Sequence, residues 1–97
     1  MVTIFNNKRY ITKGVEETLP PILQVILWEL IDGLKIEKDY LQVFTLSIED
    51  GKQKLVHEQE QPEYRKAYEL CIGTKIDGKV FVIDDKTHST MLMNYEY

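Results

Sequence analysis

The chain is poor in residues that usually carry chemistry. Of its 97 residues one is cysteine, Cys71, two are histidine, five are glycine and three are proline. A single thiol closes no intramolecular disulfide, so a core must hold the fold, and such usage fits a reducing cytoplasm. Only two serines occur, Ser47 and Ser89, and neither sits in the strand-to-helix turn of a serine nucleophile. No apolar stretch approaches the ~20 residues of a bilayer crossing, since Gln24, Glu29 and Asp32 interrupt the most apolar one. The mixed Met1–Tyr10 stretch is followed by no apolar signal-peptide core. Repeats, low-complexity tracts and Gly/Ser/Pro linkers are missing as well. Sixteen acids against twelve bases leave a net charge of −4, which disfavours nucleic acid or an anionic membrane as partner.

What is present is ordinary globular material: 43% hydrophobic and 29% charged residues, enough for one domain over residues 1–97. Lys8–Thr12 reads as a short strand closed by a Lys13-Gly14 turn. Leu19-Pro20 should be extended, because a proline moves its predecessor out of the helical region, and Pro21 suits the first helical position. Leu23, Ile26, Leu27, Leu30, Ile31 and Leu34 then recur at steps of three and four, which predicts a helix from Pro21 to about Leu34 with Gly33 as a weak point. Tyr40–Ile48 alternates at period two, and Asp50-Gly51 supplies a tight hairpin turn into a return strand, Lys54–Gln59. After Gln61-Pro62 come a strand at Tyr64–Ile72, a second hairpin signal at Asp77-Gly78 and the apolar strand Lys79–Ile83. Residues 85–97 are expected as a last strand or a loosely attached tail. The expected fold is α+β: one amphipathic helix on a mainly antiparallel sheet of about five strands, order β-α-β-β-β-β. Its helix should pack on Tyr40, Phe44, Leu46, Tyr68, Leu70, Phe81 and Ile83. If the first strand pairs with Tyr40–Ile48 in parallel, the crossover should be right-handed.

Candidate chemistry is thin. Cys71, between Leu70 and Ile72, reads as a buried filler. Asp84, Asp85 and His88 share a loop, but they and the distant His57 lack zinc-ligand spacing, so no metal and no cofactor is expected. Glu58, Glu60 and Glu63 fit the protection of a strand edge better than paired catalytic carboxylates. Tyr64-Arg65-Lys66-Ala67-Tyr68 lacks the glycine–aromatic pattern of an RNA-binding sheet. The helix carries one anomaly: Pro21, Val25 and Trp28 line up opposite the core face, where a solvated helix should be polar. Either the C-terminal segment or a loop covers that stripe, or it makes a contact with a second copy or another protein.

Several short strings also resemble a known family. They are Asn7-Lys8-Arg9-Tyr10-Ile11-Thr12, Gly14, Leu27-Trp28-Glu29-Leu30-Ile31-Asp32, Asp39-Tyr40-Leu41-Gln42-Val43-Phe44 and His57-Glu58-Gln59-Glu60-Gln61-Pro62-Glu63-Tyr64. In this order they resemble the small uncharacterised proteins of Gram-positive bacteria and their phages called domain of unknown function 960. The resemblance covers most of residues 7–70 and implies a cytoplasmic, single-domain protein, with no activity or catalytic residue attached. The leading expectation is therefore a non-enzymatic interaction module or small homo-oligomer acting through Pro21, Val25 and Trp28. The alternative is a small-ligand or enzymatic module on His57, Glu58, Gln59, Glu60 and Tyr64, where histidine and tyrosine can hydrogen-bond a polar ligand. A phage-type antagonist with an acidic surface ranks third, because the acidic excess is mild.

Overall fold

Period-two strands and a period-3.6 helix translate into a layer of helices on one face of a sheet. A computed structural model of the chain describes residues 4–97. In order these form β1 (Lys8–Ile11), α1 (Lys13–Thr18), α2 (Pro21–Asp32), β2 (Leu41–Glu49), β3 (Lys52–Gln59), β4 (Tyr64–Leu70), β5 (Gly78–Asp84) and β6 (His88–Met93), then a 3-10 turn at Asn94–Glu96.

Helix α2 starts as the prolines dictate. Pro20 is extended and Pro21 opens the helix, where its missing N–H leaves no bond unmade. The helix stops earlier than expected, because Gly33 is its C-cap and donates its N–H to the Glu29 carbonyl. Leu23, Leu27 and Ile31 are fully buried, with Ile26 and Leu30 packed beside them. A second helix, α1, replaces the expected Lys13-Gly14 turn. Thr12 caps it by accepting from the Val15 N–H at 3.3 Å, and Val15 enters the core.

Among the described residues the sheet has six strands in the order β1-β6-β5-β2-β3-β4. The β2–β3 hairpin is as read, with Asp50 and Gly51 at φ 52° and 73° in its turn. Two other expectations are corrected. β1 pairs in parallel with β6, not with β2. β4 and β5 are not neighbours, so Asp77-Gly78 makes no hairpin; residues 71–77 instead carry the chain past β3 and β2. Of the two readings of the C-terminal segment the last strand holds: β6 lies between β1 and β5, and Met91, Leu92 and Met93 are buried.

The core face collects Phe44, Leu46, Leu55, Val80, Val82, Met91 and Met93 under the two helices. Tyr68 and Leu70 pack against it, as expected. Phe81 and Ile83 do not, because the pairing Val43↔Phe81 puts them with Val43 on the other face. Tyr40 is exposed, at the entry to β2. Cys71 is exposed too, because β4 ends at Leu70 and leaves the thiol outside the ladder.

Candidate functional site

Two regions carry the residues of functional interest: the end of the β3–β4 hairpin and the face of the sheet away from the helices. At the hairpin end, alternation along β3 sends His57 and Gln59 inward and Glu58 outward. His57 is fully buried, stacked on Phe44 with ring centroids 4.4 Å apart and met edge-on by Tyr64 at 5.3 Å. Its Nε2–H donates to Gln42 Oε1 at 2.6 Å, while Nδ1 has no protein partner. Gln42 in turn donates to Gln59 Oε1 at 2.7 Å and to the Asp39 carbonyl at 2.9 Å. Gln59 donates to the carbonyls of Glu37 and Pro62, and Asp39 Oδ2 accepts from the Glu60 and Gln61 N–H groups. This buried amide chain ties the loop after α2 to the hairpin turn.

Outside it lies a cleft of about 580 Å³ lined by Glu58, Gln59, Glu60, Glu63, Tyr64 and Arg65. Four of the five residues read as a polar ligand site therefore do converge, and the fifth, His57, is sealed beneath them. Burial lowers the His57 pKa to about 4, and burial together with neighbouring Tyr64 pushes Tyr68 up to about 12. Neither ring is poised to exchange a proton near neutrality. Arg65 is already engaged, its Nε 3.5 Å from Glu58 Oε1.

The helix stripe is divided by the structure. Pro21 and Val25 are exposed, Val25 at 49%, with Ile22 beside them at 55%. Trp28 instead packs against the core, and the Arg9 guanidinium of β1 lies 4.6 Å from its ring centre while pairing with Asp32. The reason is angular: at ~100° per residue Trp28 sits only about 60° from Ile31, on the flank of the buried sector. The expected three-residue contact stripe is thereby reduced to its first two members.

The acidic loop is structural. Asp84 is buried and accepts from the Phe5 N–H at 3.2 Å, Asn7 Nδ2 at 2.9 Å and the Lys86 N–H at 3.0 Å. Asp85 takes the N–H groups of Thr87 and His88 and faces the His88 ring, and these bonds hold its carboxyl below the usual range. Among the described residues no group of three potential ligands converges as a metal site.

The face away from the helices is where sequence reasoning missed most. The register aligns three rows across it: Tyr10–Thr90–Ile83–Leu41, Leu92–Phe81–Val43–Glu58–Arg65, and Lys79–Thr45–Val56–Ala67. Its centre is aliphatic and aromatic: Leu41, Val43, Val56, Phe81 and Ile83 are half-buried and Leu92 is buried. The Tyr97 ring, 77% exposed, stands edge-on to Phe81 at 5.4 Å, and Tyr10 meets His88 likewise at 5.3 Å. Charges on the β3–β4 side are paired, Glu58 with Arg65 and Glu69 with Lys54 and Lys52, while Lys79 of β5 stands exposed opposite Thr45. A signal for this face was present in the unbroken Val80-Phe81-Val82-Ile83 run, which is apolar on both sides of the strand.

Comparison with known proteins agrees with this architecture. The family model described as a staphylococcal protein of unknown function, DUF960, matches residues 8–96. The crystal structure of a protein of unknown function from Enterococcus faecalis is similar at a TM-score of 0.88 and 28% sequence identity, covering 100% of this chain and 98% of that one. No curated protein matches the chain at a significant level.

Proposed function

The chain belongs to the DUF960 family, and from that premise we propose that it is a non-enzymatic interaction module whose contact surface is the open face of the sheet. One observation carries this reading: a one-sided sheet ordinarily turns polar residues to water, whereas this one turns out Leu41, Val43, Val56, Phe81 and Ile83. Phe81, Tyr10 and Tyr97 add aromatic surface, of the kind enriched where proteins meet. The proton-transfer groups point the same way, since His57 stays neutral and buried and Tyr68 stays protonated. The lone Cys71 suits a reducing cytoplasm, where an exposed thiol forms no lasting disulfide.

Tyrosine labelling read by mass spectrometry tests the role. Tyr10 and Tyr97 should be protected in cell extract relative to dilute pure protein, and Val43→Lys should remove that protection. Equal labelling in both settings would overturn the reading.

A second reading has its own support in the cleft at Glu58, Gln59, Glu60 and Tyr64. Its carboxylates and phenol suit a small polar ligand bearing an amine. Chemical-shift mapping with such amines should move the Glu60 and Tyr64 amides, and unmoved amides would dismiss it.

A further inference from the structure

We propose, building on the interaction role read above, that the open sheet face is a self-interface, closed in solution by the same face of a second copy of this chain. The extent of the face argues for this occupant. Six strands at ~4.8 Å spacing and ~20 Å length present about 600 Å². Two such faces bury ~1,200 Å² together, the lower limit for a specific stable contact. A single docked helix, ~10 Å wide, leaves most of that surface wet. A second sheet of equal breadth covers it all, stacked ~10 Å away with strands within about 30° of parallel, and a second copy has that breadth by construction.

The distribution of charge supports the same occupant. A self-interface sets a patch against itself, so a centre of one sign repels its own copy. Here Val43, Phe81 and Ile83 in the middle carry no charge and Glu58 and Glu69 are already neutralised by basic neighbours within the face, while the exposed Lys79 stands beside Thr45 on the next row. Polar rim and apolar middle are the anatomy of an association surface. Val43 belongs to one of the two central strands of the order β1-β6-β5-β2-β3-β4, which places it near a two-fold axis that passes through the middle of the face.

Sedimentation velocity over ~1–500 µM tests this, the range in which an interface at the small end of the stable class dissociates. The wild type should form a reversible dimer. Val43→Glu and Val43→Lys, each checked for folding by circular dichroism, should weaken it at least ~30-fold through like charges meeting at the centre. A 1:1 mixture of the two variants should recover the dimer, a rescue that requires Val43 to face its own counterpart. Thr45→Lys, on the neighbouring row, gives a second disruption should the Val43 variants fail to fold. A dimer indifferent to Val43 and Thr45 but lost in Val25→Glu would overturn the proposal in favour of α2. A wild type that stays monomeric overturns it as well. In that case Val43-dependent protection of Tyr10 and Tyr97 in extract leaves the interaction role standing with another partner, whereas absent protection ends both.

Discussion

The two faces of the sheet are made by the same strands, residue by residue in alternation, yet they handle polarity in opposite ways. The face under the helices is the more buried one, and it holds Gln42, Gln53, Gln59, His57, Asp84 and Ser89. The open face meets water and is apolar through its middle. The difference shows what the buried polar groups are for. Gln53 donates to the Ile76 carbonyl at 2.9 Å and accepts the Ile76 N–H at 2.7 Å, pinning the loop that leads into β5. Gln59 does the same for residues 37–39, and Asp84 for the segment entering β1. Each inward polar side chain replaces the backbone partners that a loop lacks, so its burial is compensated. The outward apolar side chains have no such compensation, and their exposure asks for a partner.

The contrast is broken most severely from the inner side. Leu27→Ala should lower unfolding free energy by ~2–5 kcal/mol in urea denaturation, as for other fully buried leucines. A loss below ~1 kcal/mol would show that the inner face is not the rigid one.

Acid probes the same face through His57. Its folded pKa, about 4, lies below the ordinary 6.5, so the unfolded chain binds the proton first as pH falls. Its contribution is complete above pH 6.5, shrinks as pH falls towards about 4, and is lost below that. The loss over this window should be about 3 kcal/mol, and His57→Phe should flatten it in denaturation curves. The carboxyls of Glu69, Asp85 and Glu96, held low by their hydrogen bonds, lose their contributions at more acid pH in either protein.

Next comes the seam between the helical layer and the last turn. A methyl group on Gly14 would lie 2.5 Å from the Glu96 carboxylate, which accepts from Thr12 Oγ1, the Gly14 N–H and the Met93 N–H. Gly14→Ala should therefore destabilise by ~1–2 kcal/mol, the scale of a lost cap. Combined with Glu96→Ala its effect should be less than additive, because both changes remove the same bonds. The smallest effect belongs to the outer face. Val43→Thr should change the stability of the dilute monomer by less than ~0.5 kcal/mol, while weakening association in sedimentation.

Much of the inner face was legible in the sequence. Leu23, Leu27 and Ile31 announce α2 by spacing, Pro21 marks its start, and Phe44 and Leu46 announce their side of β2 by alternation. Asp50-Gly51 names its hairpin because positive φ is demanded there. What stayed hidden is non-local. Nothing within Lys8–Ile11 or His88–Met93 states that the two pair, since a parallel ladder between distant segments leaves no turn between them. Helix α1 was missed because its six residues include Gly14, and its start depends on Thr12 and on Glu96 from the far end of the chain. The cleft was anticipated in membership but not in depth: His57 belongs to the interior because Phe44 and Gln42 claim it. The open face escaped because alternation was expected to be apolar on one side only, and β5 is apolar on both.

The insertion of β6 between β1 and β5 also bears on how the chain is made. Asn7 and Ser89, joined by a 2.6 Å hydrogen bond, are 82 residues apart. During synthesis β1 therefore waits without a ladder partner until every element from α1 to β5 has been translated. A nascent chain stalled before His88 leaves unpaired the edges of β1 and β5 that β6 covers in the finished sheet, each a template for a stray strand. Truncated products should be the aggregating species, and closure of the sheet by its last strand should be the step that ends that exposure.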